Sequence, residues 1–486
     1  MANVIVKMKP CLLVMNRLLI IAFIGNSFFA KAQDTLSLAH AVAIGLNNNF
    51  NVQIGQLNIE IARNNNTWGQ AGLLPTISLI PGFNNSVVQR KPANPFAVAG
   101  RNISDNLVGQ LDAQFVLFDG FSVRLNKQRL EQLEELSYGN AAFVLENTVQ
   151  GVILGYYNTL LEKKRLQILK INLAFSKERY DYVKLRKDLG SAITFDVLQE
   201  QNNYLTDSAN VLQQQIRVKN AFRSLNLLLN EPLAKEYKLT DSLRYESEAY
   251  HYEDLRAKMV SSNTNLHNQY INQEILRNNT RNQQSNNYPS LTLNVGATGS
   301  LDQLNAKFRP TENGTPVKST VGFLNDDQSQ PVINTNFAPE YSTKNGNSYG
   351  GYANLGMRWT LFNGGQIKRS IENAQVQEKI GQLTTDQLKL SVENDLLNNF
   401  DLYNLRRQLV QISQTKLNAA ELNIRLANER YKNGTLSAID LRIVQENYRN
   451  SALENYQAIY NSIASRIDLI RLTGGLVDKK KLREEK

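Results

Sequence analysis

From Gln110 to Leu117 apolar and polar residues alternate one by one. Leu111, Ala113, Phe115 and Leu117 fall on one side, and Gln110, Asp112 and Gln114 on the other. A period of two predicts a β-strand with one apolar face. The alternation returns 244 residues later, where Leu355, Met357, Trp359 and Leu361 interleave with Asn354, Gly356, Arg358 and Thr360. A shorter alternating segment precedes each of these strands and follows a proline: Ile77 and Leu79 after Pro75, Leu291 and Leu293 after Pro289. Each pair predicts a hairpin, over about 75–118 and 289–362. Asn-, Ser-, Pro- and Gly-rich loops join the strands, roughly 90–106 in the first hairpin and 300–348 in the second.

The period changes after two related tetrapeptides, LFDG (117–120) and LFNG (361–364). No proline occurs from Phe121 to Lys187 or from Gly365 to Lys432. Heptad-like spacing of Ala142, Leu145, Val149, Val152 and Tyr156, and of Leu402, Leu405, Leu409 and Ile412, predicts long coiled-coil helices over 121–187 and 366–432. At 1.5 Å per residue each is roughly 100 Å long. Turns at Gly190 and Gly434 lead into return helices over 196–229 and 440–472, and helices over about 36–70 and 252–284 precede the hairpins.

These parallels are one duplication. An offset of 244 carries LFDG onto LFNG, Gly190 onto Gly434, Asp196 onto Asp440, and Asn203-Tyr204 onto Asn447-Tyr448. Upstream the offset is 214, carrying Ile61, Arg63, Asn64 and Pro75 onto Ile275, Arg277, Asn278 and Pro289. The difference is an insertion in the second hairpin. The chain therefore divides into a leader (1–32), a first repeat (33–240), a second repeat (241–476) and a charged tail (477–486).

Lys7, Lys9 and Arg17 precede the apolar run LLIIAFIG, and Ala30-Lys31-Ala32 completes the layout of a secretory signal peptide cleaved near Ala32. Four of the ten net positive charges lie in that leader, leaving about +6 on the mature chain, which gives no nucleic-acid footprint. Cys11, the only cysteine, also lies in the leader, and with three histidines in the chain neither a thiolate nor a histidine metal centre is expected. No glycine-rich phosphate loop, nucleophile elbow or zinc-spaced histidine pair appears, so no cofactor and no enzyme activity are expected.

No apolar run after the leader reaches the ~20 residues of a spanning helix, so a membrane-embedded form must be a β-barrel. Four strands cannot close one, whereas three copies supply twelve. The duplicated plan, the LFxG corners and the turns RKDLGSAITFDVLQEQ (186–201) and RYKNGTLSAIDLRIVQEN (430–447) resemble the TolC-like outer-membrane efflux family over the whole mature chain. The resemblance implies a mainly α fold with four transmembrane strands per chain. A homotrimer would close a 12-stranded barrel in outer-membrane lipid, continued by an antiparallel coiled-coil tunnel through the periplasm. It implies a passive exit duct that meets a periplasmic adaptor (membrane fusion protein) and an inner-membrane pump. Cargo, whether drug, metal ion or protein, is not written in this chain.

By the same resemblance Gly190, Ser191, Ala192, Gly434, Thr435 and Leu436 form the adaptor-docking tips. Copy one has Ser-Ala where the family often has a bulkier apolar residue. Asp196 and Asp440 either cap the return helices or line a periplasmic constriction as carboxylate rings; Ile443 stands where some members place a second acidic residue. Leu111, Ala113, Phe115, Leu117, Leu355, Met357, Trp359 and Leu361 form the lipid-facing rows. Phe118, Gly120, Phe362 and Gly364 make the strand-to-helix corners. The rival architecture is a periplasmic coiled-coil scaffold or adaptor with a soluble β-domain.

Overall fold

The structure is a computed structural model that describes residues 34–93, 98–246, 248–310 and 312–477. The predicted leader and nearly all of the charged tail lie outside the described residues. The first repeat runs β1 (Thr35–Leu36), α1 (Leu38–Asn48), α2 (Phe50–Asn65), α3 (Trp68–Ala71), β2 (Thr76–Arg90), β3 (Gly100–Asp119), α4 (Ser122–Asp188) and α5 (Thr194–Leu229). After β4 (Lys238–Leu239) the second runs α6 (Tyr252–Ser262), α7 (Thr264–Ser285), β5 (Ser290–Phe308), β6 (Pro316–Phe323), β7 (Pro331–Phe337), β8 (Glu340–Arg358), α8 (Gln366–Lys432) and α9 (Ala438–Leu472).

Three expectations need correction. The helix before each hairpin is not continuous: it breaks at Asn49 and at Asn263, positions related by the 214-residue offset. Both residues are extended, with ψ of 127° and 123°. Asn49 Nδ2 donates to the Leu228 carbonyl at 3.0 Å while its Oδ1 accepts from Asn51 N–H at 2.9 Å. Asn263 repeats this with the Leu472 carbonyl (2.9 Å) and Leu266 N–H (3.0 Å). One side chain thus starts the next helix and ties down the end of the return helix, a local bond that competes successfully with helix continuation.

Nor is 300–348 a loop. β5 continues to Phe308, β8 begins at Glu340, and β6 and β7 form a hairpin inside the insertion. Apolar alternation fades there, but the ladder persists through backbone pairing and polar cross-strand contacts such as Gln303–Asn345 and Asn305–Thr343.

The described residues divide into two compact units, one comprising those up to Leu57, Gly139–His267 and those from Leu388 onward, the other Asn58–Tyr138 and Asn268–Gln387. The first unit is helical apart from β1 and β4, which pair in parallel. It has one core per repeat. Leu36, Val152, Tyr156, Leu225 and Leu229 centre the first core, and Met259, Leu396, Tyr403 and Leu469 the second. Val152/Leu396 and Leu225/Leu469 are duplicate positions. Leu161, Leu243, Val410 and Ile459 join the repeats.

The heptad stripe predicted for α4 is buried throughout. The stripe predicted for α8 is not. Leu405 is 50% and Ile412 63% exposed, and the buried stripe is Val392, Leu396, Tyr403, Val410 and Leu417. α8 carries two apolar stripes, and only one is buried among the described residues. α5 presents a matching unpartnered row at Leu198, Leu205, Leu212 and Ile216.

The second unit holds one four-stranded antiparallel sheet in the order β2-β3-β5-β8, so the two repeat hairpins lie side by side. Its helices pack through small and polar residues. Buried Asn278 donates to the Leu125 carbonyl at 2.9 Å, and Lys127 lies 5.8 Å from the Trp68 ring centre while bonding Asn66 Oδ1.

Candidate functional site

The sheet sorts its side chains by register. Opposed residues share a face, and Leu79↔Leu111↔Ala297↔Gly351 and Ile77↔Ala113↔Val295↔Ala353 run across all four strands. The alternate rows are polar: Ser78↔Asp112↔Gly296↔Tyr352 and Thr76↔Gln114↔Asn294↔Asn354. On that face the Tyr352 hydroxyl donates to Asp112 Oδ1 at 2.5 Å and accepts from Gln110 Nε2 at 2.9 Å. It reaches across β5 because residue 296 is glycine: a Cβ there would lie 2.5 Å from the Tyr352 ring.

The apolar face stays apolar from the Leu291 row to the Leu301 row and turns polar at Asn85↔Asp105↔Gln303↔Asn345. The ten steps from 291 to 301 at about 3.3 Å each, tilted as barrel strands are, give a band roughly 25 Å high, the height of an outer-membrane apolar girdle. Its side chains are open to their surroundings: Leu79 is 72%, Phe83 67% and Leu355 65% exposed. The two outer strands, β2 and β8, each have one edge without a partner among the described residues.

Some predicted rows shift. A bulge between Val116 and Phe118 leaves Leu117 unpaired and sets Phe118 opposite Leu291, so Phe118, not Leu117, continues the apolar row from Phe115. β8 ends at Arg358, leaving Trp359 and Leu361 beyond the strand. Both hairpins stop at duplicate pairs, Thr76↔Gln114 and Ser290↔Arg358, directly after prolines that have no N–H to give. β3 continues to Asp119 only because β5 pairs with its other side. β8 has no strand on its other side among the described residues. Phe362 is 85% exposed there, whereas Phe118 packs edge-on to Phe121 at 5.3 Å.

Each LFxG corner places two consecutive residues in the left-handed region, Gly120 and Phe121 (φ 69° and 73°) and Gly364 and Gly365 (67° and 74°). The residue between Phe and Gly, passed over in the sequence, starts the long helix. Asp119 Oδ1 accepts from Val123 N–H at 3.3 Å, and Asn363 Oδ1 accepts from Gln366 N–H at 3.1 Å.

The glycine turns are duplicates in detail. Gly190 and Gly434 have φ of 77° and 71°. Gly190 N–H donates to Lys187 O and Ser191 N–H to Arg186 O; Gly434 and Thr435 repeat this onto Tyr431 and Arg430. This is the Schellman closure. The Ser191 and Thr435 hydroxyls donate to the same Arg186 and Arg430 carbonyls, each at 3.0 Å, so they serve the turn itself. Ala192 and Leu436 are half-buried. The exposed apolar groups near the turns are ones the motif did not single out: Leu189 (74%), Ile193 and Phe195 in copy one, Ile439 and Ile443 in copy two. Their signal was available as apolar residues flanking a turn glycine.

Asp196 and Asp440 sit in the first turns of α5 and α9. Asp196 Oδ2 accepts from Ile193 N–H at 3.4 Å; Asp440 Oδ2 accepts from the Ser437 hydroxyl at 2.7 Å while Ser437 Oγ caps Asp440 N–H at 3.1 Å. Ser437 is the cap residue, and each Asp reaches back to the cap from the third helical position. Among the described residues no cluster of three His, Cys, Asp or Glu side chains can hold a metal ion, and no helix is long and apolar enough to cross a membrane.

Residues 44–231 match the family model for the outer membrane efflux protein. No curated protein sequence matches the chain. Among solved structures the Campylobacter jejuni CmeC outer membrane channel is similar over 92% of this chain and 88% of its own, with a TM-score of 0.68 at 15% identity. The outer membrane protein VceC of Vibrio cholerae covers 90% of this chain and 96% of its own, at TM-score 0.67 and 13% identity. The open state of the Neisseria gonorrhoeae MtrE outer membrane channel covers 90% and 89%, at TM-score 0.62 and 17% identity. The family match thus lies within the first repeat, and both repeats together have the fold of these outer membrane channel proteins.

Proposed function

We propose that three copies of this chain close a 12-stranded barrel and act as the passive exit duct of a tripartite export system. The observation that carries the proposal is the sheet with two unpaired edges and one apolar face. An unpaired edge in lipid leaves each N–H and C=O unsatisfied at several kcal/mol apiece, so a membrane-embedded sheet must find its missing partner in another copy. The exposed stripes of α5 and α8 support the same assembly, since rows such as Leu198–Leu205–Leu212 and Leu405–Leu409–Ile412 have no cover within one chain. The polar sheet face then faces the lumen. Such a duct performs no chemistry and takes its energy from an inner-membrane pump.

The glycine turns are the proposed contact with a periplasmic adaptor. Gly190–Ala192 and Gly434–Leu436 shape them, and the exposed Leu189, Ile193, Phe195 and Ile439 supply apolar surface for an adaptor's helices. Asp196 and Asp440 remain candidates for a constriction, in addition to their bonds within the first helical turn. The test is fractionation with conductance. Heat-resistant trimers in detergent extracts of outer membrane, forming ion-conducting pores in planar bilayers, are the expected result. A soluble periplasmic monomer would replace the duct with the coiled-coil scaffold.

A further inference from the structure

Past the apolar band, at the end of the sheet away from the LFxG corners, the same face changes character. The first row beyond Leu301 is Asn85, Asp105, Gln303 and Asn345. The second has Asn305 and Thr343 on β5 and β8, with Val87 and Ile103 on the other two strands. Two residues further along the alternation come Arg101 on β3, Lys307 on β5 and Tyr341 on β8. Tyr341 gathers them. Its hydroxyl accepts from Arg101 N–H at 3.2 Å, and the Lys307 ammonium lies 5.2 Å from its ring centre.

Neither cation forms an ion pair among the described residues. Asp105 lies four residues from Arg101, about 13 Å along the strand, and accepts from Asn85 Nδ2. Glu340 falls on the alternate polar rows and accepts from Thr315 N–H and hydroxyl. A guanidinium and an ammonium without a counter-ion suit a phosphate.

Within the apolar band a groove of about 450 Å³ is lined by Pro81, Leu107, Gly109, Gly299, Leu301 and Tyr349. From Gly299 to Lys307 is about 26 Å along β5, or roughly 19 Å across a membrane at a 45° tilt. The cations stand about 14 Å beyond Leu301 on the same reckoning. A glycerophospholipid carries its phosphate next to the hydrocarbon and would set it against Asn85 and Gln303. A glycolipid phosphorylated on its sugars carries phosphate farther out.

The geometry points to a binding site for a phosphorylated glycolipid of the outer leaflet. Its phosphate meets Arg101 and Lys307, its sugar hydroxyls meet the amide rows, and one acyl chain lies in the groove. The site rests on the duct reading, which turns this face toward lipid.

The experiment equilibrates the full chain, immobilised in detergent, with short-core lipopolysaccharide, the same lipid dephosphorylated by hydrogen fluoride, or phosphatidylglycerol. Retained lipid is quantified, and conductance in planar bilayers is recorded for every variant. Half-saturation with the phosphorylated glycolipid is expected at a concentration at least tenfold lower than with either other lipid. Arg101→Gln with Lys307→Gln should weaken retention at least tenfold, and Gly109→Leu, which fills the groove, at least threefold. Lys344→Gln removes a charge from the polar face at similar height and should change nothing. Lys307→Gln alone serves if the double variant does not fold. Equal retention of the three lipids, unchanged retention in the Arg101, Lys307 or Gly109 variants, or an equal loss in Lys344→Gln overturns the site. Where conducting pores persist with such a result, the duct stands without the site, whereas a soluble monomer overturns both.

Discussion

The duplication fixes a register for an interface that one chain does not contain. β8 is the copy-two counterpart of β3, and β2 is the copy-one counterpart of β5. If neighbouring copies join β8 to β2, the joint should repeat the β3–β5 joint within the chain. There Gln110 lies opposite Thr298. Adding 244 to the first and subtracting 214 from the second sets Asn354 opposite Asn84 of the neighbouring copy. Both asparagines lie on the polar face and are exposed, so cysteines are tolerated there. Directly opposed antiparallel residues have Cα atoms about 4.5–5.5 Å apart, within the ~4.4–6.8 Å that a disulfide spans. A slip of two residues displaces the partner by roughly 6.6 Å along the strand and stretches the separation to about 8 Å, beyond the ~7 Å limit. From Gln33 onward the chain has no cysteine, so the background is clean. Asn84→Cys with Asn354→Cys should give oxidant-dependent covalent trimers on a denaturing gel. Asn84→Cys with Gly356→Cys should not. The reverse pattern would refute repeat-to-repeat equivalence, and crosslinking of neither pair would refute the β8–β2 joint.

Asn49→Ala and Asn263→Ala each remove a buried hydrogen bond and a helix start, and each should cost about 1–3 kcal/mol in thermal or denaturant unfolding. Gly120→Ala should block folding of the single chain, because the new Cβ would meet the Ser285 carbonyl at 2.3 Å in a left-handed backbone. Gly364→Ala has open space within the chain and should leave it foldable while lowering the temperature at which trimers dissociate. Asp196→Asn and Asp440→Asn keep an oxygen for the cap and delete the charge. Cation preference in planar bilayers should fall if these carboxylates line the constriction, and unchanged selectivity confines them to capping. The Tyr431 phenol is raised in the folded chain, so its contribution to stability is whole below pH ~10. It should be lost as pH climbs from there toward about 12, and Tyr431→Phe should flatten that part of the melting profile.

The repeat was legible because strand alternation, helix length and turn glycines are local signals. The α8 bounds, 366–432, agree with those drawn from the LFNG corner before it and the Gly434 turn after it. Other features escaped for physical reasons. Asn49 and Asn263 look like ordinary polar positions within a helical run, and only the carbonyls of Leu228 and Leu472 make them breaks. The Val116–Phe118 bulge depends on β5, whose Leu291 lies 173 residues beyond Phe118 in sequence. The α8 stripe was misassigned because that helix has two heptad rows. Periodicity finds both and does not say which one Tyr403 and Val410 will bury.

The two corners show why closely related local sequence need not give the same surroundings. Gly120 is pressed by the Ser285 carbonyl and by Tyr288, both at the end of the helix leading into β5. Gly364 meets nothing within 4 Å. Copy one's corner is completed by copy two, whereas copy two's corner, at the free edge of β8, meets no such helix end among the described residues. Subtracting 214 from Ser285 and Tyr288 gives Ala71 and Leu74, which end the helix leading into β2. Leu74 is 62% exposed in the single chain. If a neighbouring copy's β2 pairs with β8, its Ala71 carbonyl arrives over Gly364 as Ser285's does over Gly120. The glycine is then required at position 364 by a contact between copies. Its open surroundings, the exposed Phe362 and the early end of β8 are three consequences of the same missing strand.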